Sequence, residues 1–151
     1  MQEARVRSGL SEDLLPLIVA VAGEIGNNSF DHNLGKWPDT PGVFFGYDIS
    51  KRQIVLADRG LGILSTLSRV RPELKDHLDA VRVAFTEIVS GRAPEERGNG
   101  LKFVRQVVAE NPISLLFRSG DAELRIKKNN NELFIARSHT AIRGCFAIIE
   151  F

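Results

Sequence analysis

Three oxygen-bearing side chains stand in one row near the end of an amphipathic segment that begins near Leu14. Glu24, Asn28 and Asp31 are spaced at i, i+4 and i+7, so an α-helix would align them on one face. Asn and Asp are poor helix formers and weaken the helix that carries them. One interpretation is a row of carboxylate and amide oxygens that contacts a ligand. The alternative, equally compatible with this stretch alone, is a fraying helix end that caps itself before Gly35.

Two glycine clusters further along the chain also stand at the ends of predicted elements. The apolar run 54–57 is followed by Asp58-x-Gly60-x-Gly62, and ligands often bind where a buried strand ends in a sheet-and-helix fold. Gly98-Asn99-Gly100 precedes a short amphipathic helix. Each cluster alone could be a turn or a helix start, because a D-x-G-x-G match arises by chance in roughly 4% of chains this long. The order and spacing of all three groups together are more specific.

The hydrophobic pattern predicts the elements that hold these groups. The stripe of the first helix indicates packing on a core, and strand-like runs at 43–49 and 53–57 predict a hairpin. Helical spacing continues over 63–90, and the charged stretch 92–97 predicts an exposed loop that could act as a mobile lid. After the helix 101–110 come four strand-like runs, at 113–117, 122–127, 132–136 and 145–151.

This order of elements predicts an α+β fold. We expect a two-layer α/β sandwich in which a mixed, mostly antiparallel sheet is covered on one face by about three helices. A chain of 151 residues is long enough to bury a core without metals or disulfides, and we expect a single domain over 1–151.

Composition excludes several classes of function. The net charge is +1 with no long block of one sign, which argues against a nucleic-acid or membrane surface. The single cysteine, Cys145, excludes an internal disulfide and fits a reducing compartment. No apolar run is long enough to span a bilayer of about 30 Å. We therefore expect a soluble, cytoplasmic protein.

The three groups together resemble the motifs of the GHKL superfamily, the Bergerat-fold ATPases that include type II topoisomerases, mismatch-repair ATPases, histidine kinases and anti-sigma-factor serine kinases. Glu24-x-x-Asn27-Asn28-x-x-Asp31 is similar to the N box of that family. Asp58-x-Gly60-x-Gly62 resembles the first glycine box, and Gly98-Asn99-Gly100-Leu101 the second. Gly144-Cys145 stands where the family usually has Gly-Thr, so a hydroxyl contact to the nucleotide is in doubt there.

The resemblance implies ATP and Mg²⁺ as cofactors and a role for each motif residue. It assigns Asp58 to the exocyclic amine of adenine and gives Gly60 and Gly62 close backbone approach to the base. It makes Asn28 the ligand of Mg²⁺, a cation that prefers oxygen ligands and keeps several waters. Glu24 becomes the candidate catalytic base, acting on water or on a substrate hydroxyl.

The second glycine cluster would bind phosphate through backbone N–H groups at a helix N-terminus. The remaining cofactor-binding residues that the resemblance implies are Asp31, Gly98, Asn99, Gly100, Leu101 and Lys102, with a lid over the nucleotide at about 63–99. Asp31 could equally hold the end of its helix in place, and surface lysines such as Lys102 are usually just solvated.

Among GHKL proteins, the chain resembles most the anti-sigma-factor serine kinases. We expect neither a preceding phospho-acceptor hairpin, as in histidine kinases, nor a following transducer domain. We expect a stand-alone regulatory Mg-ATP-binding protein, with serine/threonine kinase or ATPase activity toward a protein partner, and a homodimer as a further candidate assembly. Two alternatives stay open: the ATP-binding domain of a histidine kinase or larger ATPase, and a non-catalytic switch in which ATP controls a protein contact.

Overall fold

The computed structural model describes residues 11–31, 33, 35, 42–87 and 100–151. They form four helices and four strands. The helices are α1 (Leu14–Asp31), α2 (Gly62–Leu67), α3 (His77–Thr86) and α4 (Gly100–Glu110), and the strands are β1 (Val43–Asp48), β2 (Gln53–Asp58), β3 (Ser114–Ile126) and β4 (Phe134–Glu150).

The strands form one sheet in the order β1-β2-β4-β3, and every neighbouring pair is antiparallel. β2 lies between β1 and β4, with Leu56 paired to Phe45 on one side and to Ala147 on the other. This central position buries the end of β2, where Asp58 stands.

The helices cover one face of this sheet and enclose the core. The apolar stripe of α1 is buried, as its period predicts, and includes Ile18, Val21 and Ile25. Helices α2 and α3 contribute further buried side chains, among them Phe85, whose ring meets that of Phe117 edge to face at 5.2 Å. Helix α1 packs against α4, which places the polar end of one helix beside the start of the other.

The α+β architecture predicted from the sequence is confirmed, with three differences of detail. The described residues contain four helices rather than about three, and their sheet is antiparallel throughout. The helical segment predicted at 63–90 is two helices, because Pro72 cannot continue a helix and Asp76 starts a new one. Asp76 is the N-cap of α3, and its carboxylate accepts from the backbone N–H groups of Leu78 and Asp79.

The four strand-like runs predicted after α4 are two long strands. The glycine-containing stretches 119–121 and 138–144, which fall between the predicted runs, lie inside β3 and β4. The pairing register shifts between Ser119 and Ala122 instead of ending there. Gly120 and Gly144 have φ of +59° and +78°, a backbone conformation that glycine adopts without a steric cost, so the strands bulge and continue.

Residues 63–87 of the predicted lid form α2, α3 and their connection, and they contribute Leu67 and Val81 to the core. The predicted loop 92–97 lies outside the described residues. Within the described part of the chain, none of the helices is long and apolar enough to cross a membrane.

Candidate functional site

A buried carboxylate lies at the centre of a polar group that forms where the end of β2 meets the end of α1. Asp58 ends β2 with only 6% of its surface exposed. Its Oδ1 accepts from the backbone N–H groups of Gly60 at 2.9 Å and Cys145 at 3.3 Å, and from Asn33 Nδ2 at 3.1 Å. Its Oδ2 accepts from Ser29 Oγ at 3.1 Å. These four contacts all come from donors, which matches an ionised carboxylate, a group that only accepts.

Asn33 joins the end of α1 to the loop that follows β2. Its side chain is 97% buried, since only 3% is exposed. Nδ2 donates to the Ser29 carbonyl at 3.0 Å as well as to Asp58, while Oδ1 accepts from the Leu61 N–H at 2.8 Å. These partners determine the amide orientation, because a flipped amide would face the Leu61 N–H with its own donor.

Ser29, in the last turn of α1, also contacts Asp58. Its hydroxyl is within reach of the Ile25 carbonyl at 3.4 Å and of Asp58 Oδ2 at 3.1 Å. A hydroxyl has one proton to donate, and the shorter contact to a charged acceptor is the stronger one. Ser29 in the last turn of α1 and Asn33, two residues beyond its end, therefore both donate to Asp58.

Glycine is required next to this carboxylate because of close packing. A Cβ on Gly60 would overlap the side-chain amide of Asn33. A Cβ on Gly144 would lie 2.6 Å from Asp58 Oδ1, and the φ of +78° at Gly144 disfavours other residues as well. The predicted role of Gly60 was approach to a ligand; the structure shows that its missing side chain makes room for Asn33.

Ser119 connects three elements behind this group. Its hydroxyl is buried, accepts from the Ile63 N–H in the first turn of α2 at 2.9 Å, and donates to the Gly144 carbonyl at 3.2 Å. Gly62, which precedes Ile63 and begins α2, lies beside the Ser119 hydroxyl. The bulges of β3 and β4 thus hold the start of α2 close to the end of β2.

Cys145 contributes its backbone rather than its thiol. Burial, and to a smaller extent the nearby Asp58 carboxylate, raise the pKa of the Cys145 thiol well above its ordinary value. The thiol therefore stays protonated at neutral pH, and a protonated thiol is a poor nucleophile.

The second polar group forms where α1 meets the start of α4. Glu24 and Asn28 are both partly buried and both face Gly100, the first residue of α4. A Cβ on Gly100 would lie 2.6 Å from Glu24 Oε2 and 3.9 Å from Asn28 Nδ2. The absence of a side chain at Gly100 therefore lets an acid and an amide approach the helix N-terminus, where backbone N–H groups favour negative charge by about 0.3–1 kcal/mol.

The other predicted site residues lie in different surroundings. Leu101 is buried in the core, so only its backbone can serve a ligand. Lys102 is two residues from Gly100, about 200° around the helix, and its side chain lines a cleft away from Glu24. Asp31 is exposed at the last position of α1. Gly98 and Asn99 lie outside the described residues.

The two polar groups adjoin, because Asn28 and Ser29 are neighbours on α1. Together they join a buried acceptor at a strand end with an acid and an amide at a helix start. Sequence reasoning missed three contributors: Ser29, Asn33 and Ser119. The i, i+4 spacing of Ser29 and Asn33 was a usable signal. No sequence signal pointed to Ser119, because its contacts depend on the register shift between β3 and β4.

Comparisons with known proteins do not assign a family. No protein-family model matches the chain, and a search of curated proteins finds no match. A solved structure, the 43K ATPase domain of Thermus thermophilus gyrase B in complex with an aminocoumarin, aligns with a TM-score of 0.49 and 19% sequence identity. The alignment covers 97% of this chain and 40% of that one. At this level of similarity the match identifies no function.

Proposed function

We propose that this chain is a regulatory Mg-ATP-binding protein. The observation that carries the proposal is the pair of adjoining polar groups on α1: the Asp58 carboxylate, held by four donors at a strand end, and the Glu24–Asn28 pair at the N-terminus of α4. The first supplies an anionic acceptor for the exocyclic amine of adenine. The second lies at a helix start, where backbone N–H groups attract phosphates.

The residues around Gly100 suit a magnesium–phosphate complex. The space beside Gly100, which any Cβ would fill, is lined by a carboxylate and a side-chain amide. Mg²⁺ takes oxygen ligands and usually keeps several waters, so the Asn28 amide oxygen would be its ligand from the protein. When bound, Mg²⁺ would neutralise phosphate charge. In the absence of that counter-charge, Glu24 would repel a triphosphate, which makes binding depend on the cation.

Glu24 is the residue that would perform chemistry. A carboxylate at this position can accept a proton from water, which would give ATP hydrolysis, or from a serine or threonine hydroxyl of a partner protein, which would give phosphoryl transfer in trans. We favour transfer to or binding of a protein partner. The alternatives are an ATP-binding domain that works within a histidine kinase or larger ATPase, and a switch without turnover.

A thermal-shift titration with purine nucleotides tests the binding proposal. Mg-ATP at about 100 times its Kd should stabilise the fold by about 2.7 kcal/mol, which corresponds to roughly 5–10 °C for a chain of this size. Asp58→Asn should abolish the shift, because the amide turns a donor toward the adenine amine. Asp121→Asn, at a partly buried carboxylate of β3 that pairs with Arg137, is the matched control and should retain it. A full ATP shift in Asp58→Asn would refute adenine recognition by Asp58.

Terminally labelled ATP then separates the three outcomes after binding. Label on a protein partner supports a kinase, free phosphate supports an ATPase, and intact ATP supports the switch. Glu24→Ala should keep the thermal shift and lose any turnover. A turnover rate unchanged in Glu24→Ala would rule out Glu24 as the base.

A further inference from the structure

The outer edge of β1 has no paired strand in the described part of the chain, since β1 stands at one end of the sheet and pairs there with β2. In an antiparallel pair, alternate residues direct both of their backbone groups to the same neighbour. Gly42 accepts from the Arg59 N–H, so its backbone faces β2, and the even-numbered residues of β1 follow it. The N–H and C=O groups of Val43, Phe45 and Tyr47 therefore point away from the sheet.

The side chains of this edge are apolar and exposed. Phe45 and Tyr47 leave 56% and 68% of their surface uncovered, and their rings lie 6.3 Å apart on the face that Val43 shares. Phe44 points to the opposite face and is 57% exposed. Proteins usually protect an edge strand from pairing with another chain by charged residues, proline or a bulge. Residues 43–47 contain no charge and no proline, and their register with β2 has no shift, so this edge lacks that protection.

The spacing of these groups suits a second copy of the same strand. Two copies of β1 related by a two-fold axis run antiparallel, and such an interface joins the same surface of both chains. With the axis at Phe45, that residue lies opposite Phe45 of the second copy, and Val43 lies opposite Tyr47 of the second copy. All the outward-pointing backbone groups then pair, with two hydrogen bonds for each of the three residues. Aromatic and β-branched side chains that face each other in this way stabilise a strand pair.

Gly46 gives the same register room on the other face of the sheet. It would lie opposite Phe44 of the second copy, an arrangement in which an aromatic ring covers the exposed backbone of a glycine. A Cβ on Gly46 would lie 3.0 Å from Phe44 Cζ of its own chain. Glycine at this position therefore leaves space for aromatic rings.

The uncovered aromatic surface supplies much of the area that a dimer needs. A fully covered aromatic side chain buries about 150–250 Å², so the exposed parts of Phe44, Phe45 and Tyr47 amount to roughly 350 Å² in each copy. Two copies would cover roughly 700 Å² through these rings alone, close to half of the about 1,600 Å² that a specific interface typically buries. The paired backbones and Val43 add to this area.

We propose that the chain forms a two-fold symmetric dimer in which β1 pairs antiparallel with β1 of a second copy. The pairing joins two four-stranded sheets into one continuous sheet. A second copy is favoured over a strand from a different protein because it brings the same exposed apolar side chains, so one contact covers both surfaces. This proposal does not rest on nucleotide binding.

Sedimentation equilibrium of the full chain tests the dimer. At about 500 µM chain the measured mass should approach twice the 16.7 kDa of one chain, as for a dissociation constant at or below about 100 µM. Phe45→Glu places like charges opposite each other at the two-fold axis and should weaken the dimer roughly 100-fold. Phe103→Glu changes an exposed phenylalanine of α4, and this matched control should leave the mass unchanged.

A mixture of two charged variants tests the register. Phe45→Glu and Phe45→Lys should each be monomeric alone, whereas their equimolar mixture should dimerise at least about 10-fold more tightly, because opposite charges then meet across the axis. In the unmodified chain, hydrogen exchange at the Phe45 and Tyr47 amides should slow as the chain concentration rises.

Four results would overturn the proposal. One is the mass of a single chain at about 500 µM, and another is a dimer that Phe45→Glu does not weaken. A third is a mixture of the Glu and Lys variants that dimerises no better than either alone. The fourth is slow exchange of the Phe45 and Tyr47 amides in a monomeric chain, which would assign the edge of β1 to another segment of the same chain.

Discussion

Replacing Asn33 by aspartate tests how the centre of the site is held together. The two side chains have almost the same shape, so the change is electrostatic. In the folded protein the nitrogen that donates to Asp58 Oδ1 at 3.1 Å becomes an oxygen, and the contact with the Ser29 carbonyl at 3.0 Å loses its donor too. The oxygen that accepts from the Leu61 N–H can stay where it is.

The expected loss of stability follows from two numbers. Two unit charges 3.1 Å apart repel by about 5 kcal/mol at an effective dielectric constant near 20. The pair can avoid this repulsion by binding one proton, which at pH 7 costs about 4 kcal/mol for a carboxyl with an ordinary pKa near 3.9. Because protonation costs less than the repulsion, Asn33→Asp should lower the free energy of unfolding by about 4 kcal/mol at pH 7. That is a large part of the free energy of unfolding of a typical protein, about 5–15 kcal/mol.

The pH dependence identifies the cause. In the variant, the folded state holds a proton that the unfolded state releases above a pH of about 3.9, so the free energy of unfolding falls as pH rises. Urea unfolding followed by circular dichroism should therefore show the variant about 2.7 kcal/mol more stable, relative to the unmodified chain, at pH 5 than at pH 7.

Two comparison variants separate charge from lost contacts. Asn33→Ala loses the same hydrogen bonds without adding a charge, so its loss of stability should not depend on pH in this way. Asn27→Asp makes the same substitution at an exposed position of α1 and should cost no more than about 1 kcal/mol. A loss below about 1 kcal/mol in Asn33→Asp at pH 7, with the pH profile of the unmodified chain, would refute the geometry of the Asn33–Asp58 contact.

Three further substitutions test neighbouring contacts. Gly60→Ala should displace the Asn33 amide, so its cost in urea unfolding should be well below additive with that of Asn33→Ala; full additivity would contradict the overlap. Gly100→Ala should leave the fold as stable or up to about 1 kcal/mol more stable, because alanine favours helix and the displaced Glu24 carboxylate is the end of a flexible chain. The same variant should lose the Mg-ATP thermal shift, and a retained shift would exclude the space beside Gly100 as the phosphate site. The Cys145 thiol, with its raised pKa, should react slowly with iodoacetamide at pH 8 in the folded chain and quickly in urea. Because its folded pKa exceeds the ordinary 9.0, stability should also fall as pH rises above that value, and Cys145→Ser should remove this fall.

The sequence predicted what depends on local pattern. The stripe of α1 identified a helix that buries Ile18 and Ile25, and the apolar run before Asp58 identified a buried strand ending in an acid. The start of α4 after the second glycine cluster was also recognisable. These features follow from periodicity and from the few residues that begin or end an element.

The sequence did not predict what depends on long-range register. The stretch 138–144 contains residues typical of a turn, yet it lies within β4. Its pairing with β3 continues on both sides, with Arg137 opposite Ala122 and Cys145 opposite Ser119, and only Ile142 inside the stretch is paired, with Gly120. The same pairing places Ser119 opposite Cys145 and next to Gly144, which is how a hydroxyl on β3 comes to hold the start of α2. A local pattern contains no information on such cross-strand neighbours.

The structure also changes how the first row of polar residues is interpreted. The end of α1 presents polar side chains in two directions, not one. Glu24 and Asn28 face Gly100, whereas Ser29, together with Asn33 just beyond the helix, contacts Asp58. A glycine lies opposite each face. A Cβ on Gly60 would overlap the packed Asn33 amide, whereas a Cβ on Gly100 would lie 2.6 Å from Glu24 Oε2, the end of a flexible side chain that can move away. Asparagine and serine weaken a helix end, but here their side chains replace helix bonds with bonds to a buried carboxylate. Ser29 and Asn33 are therefore explained by the contacts they make across the fold, and a capped, fraying end does not account for Asn33 being almost fully buried.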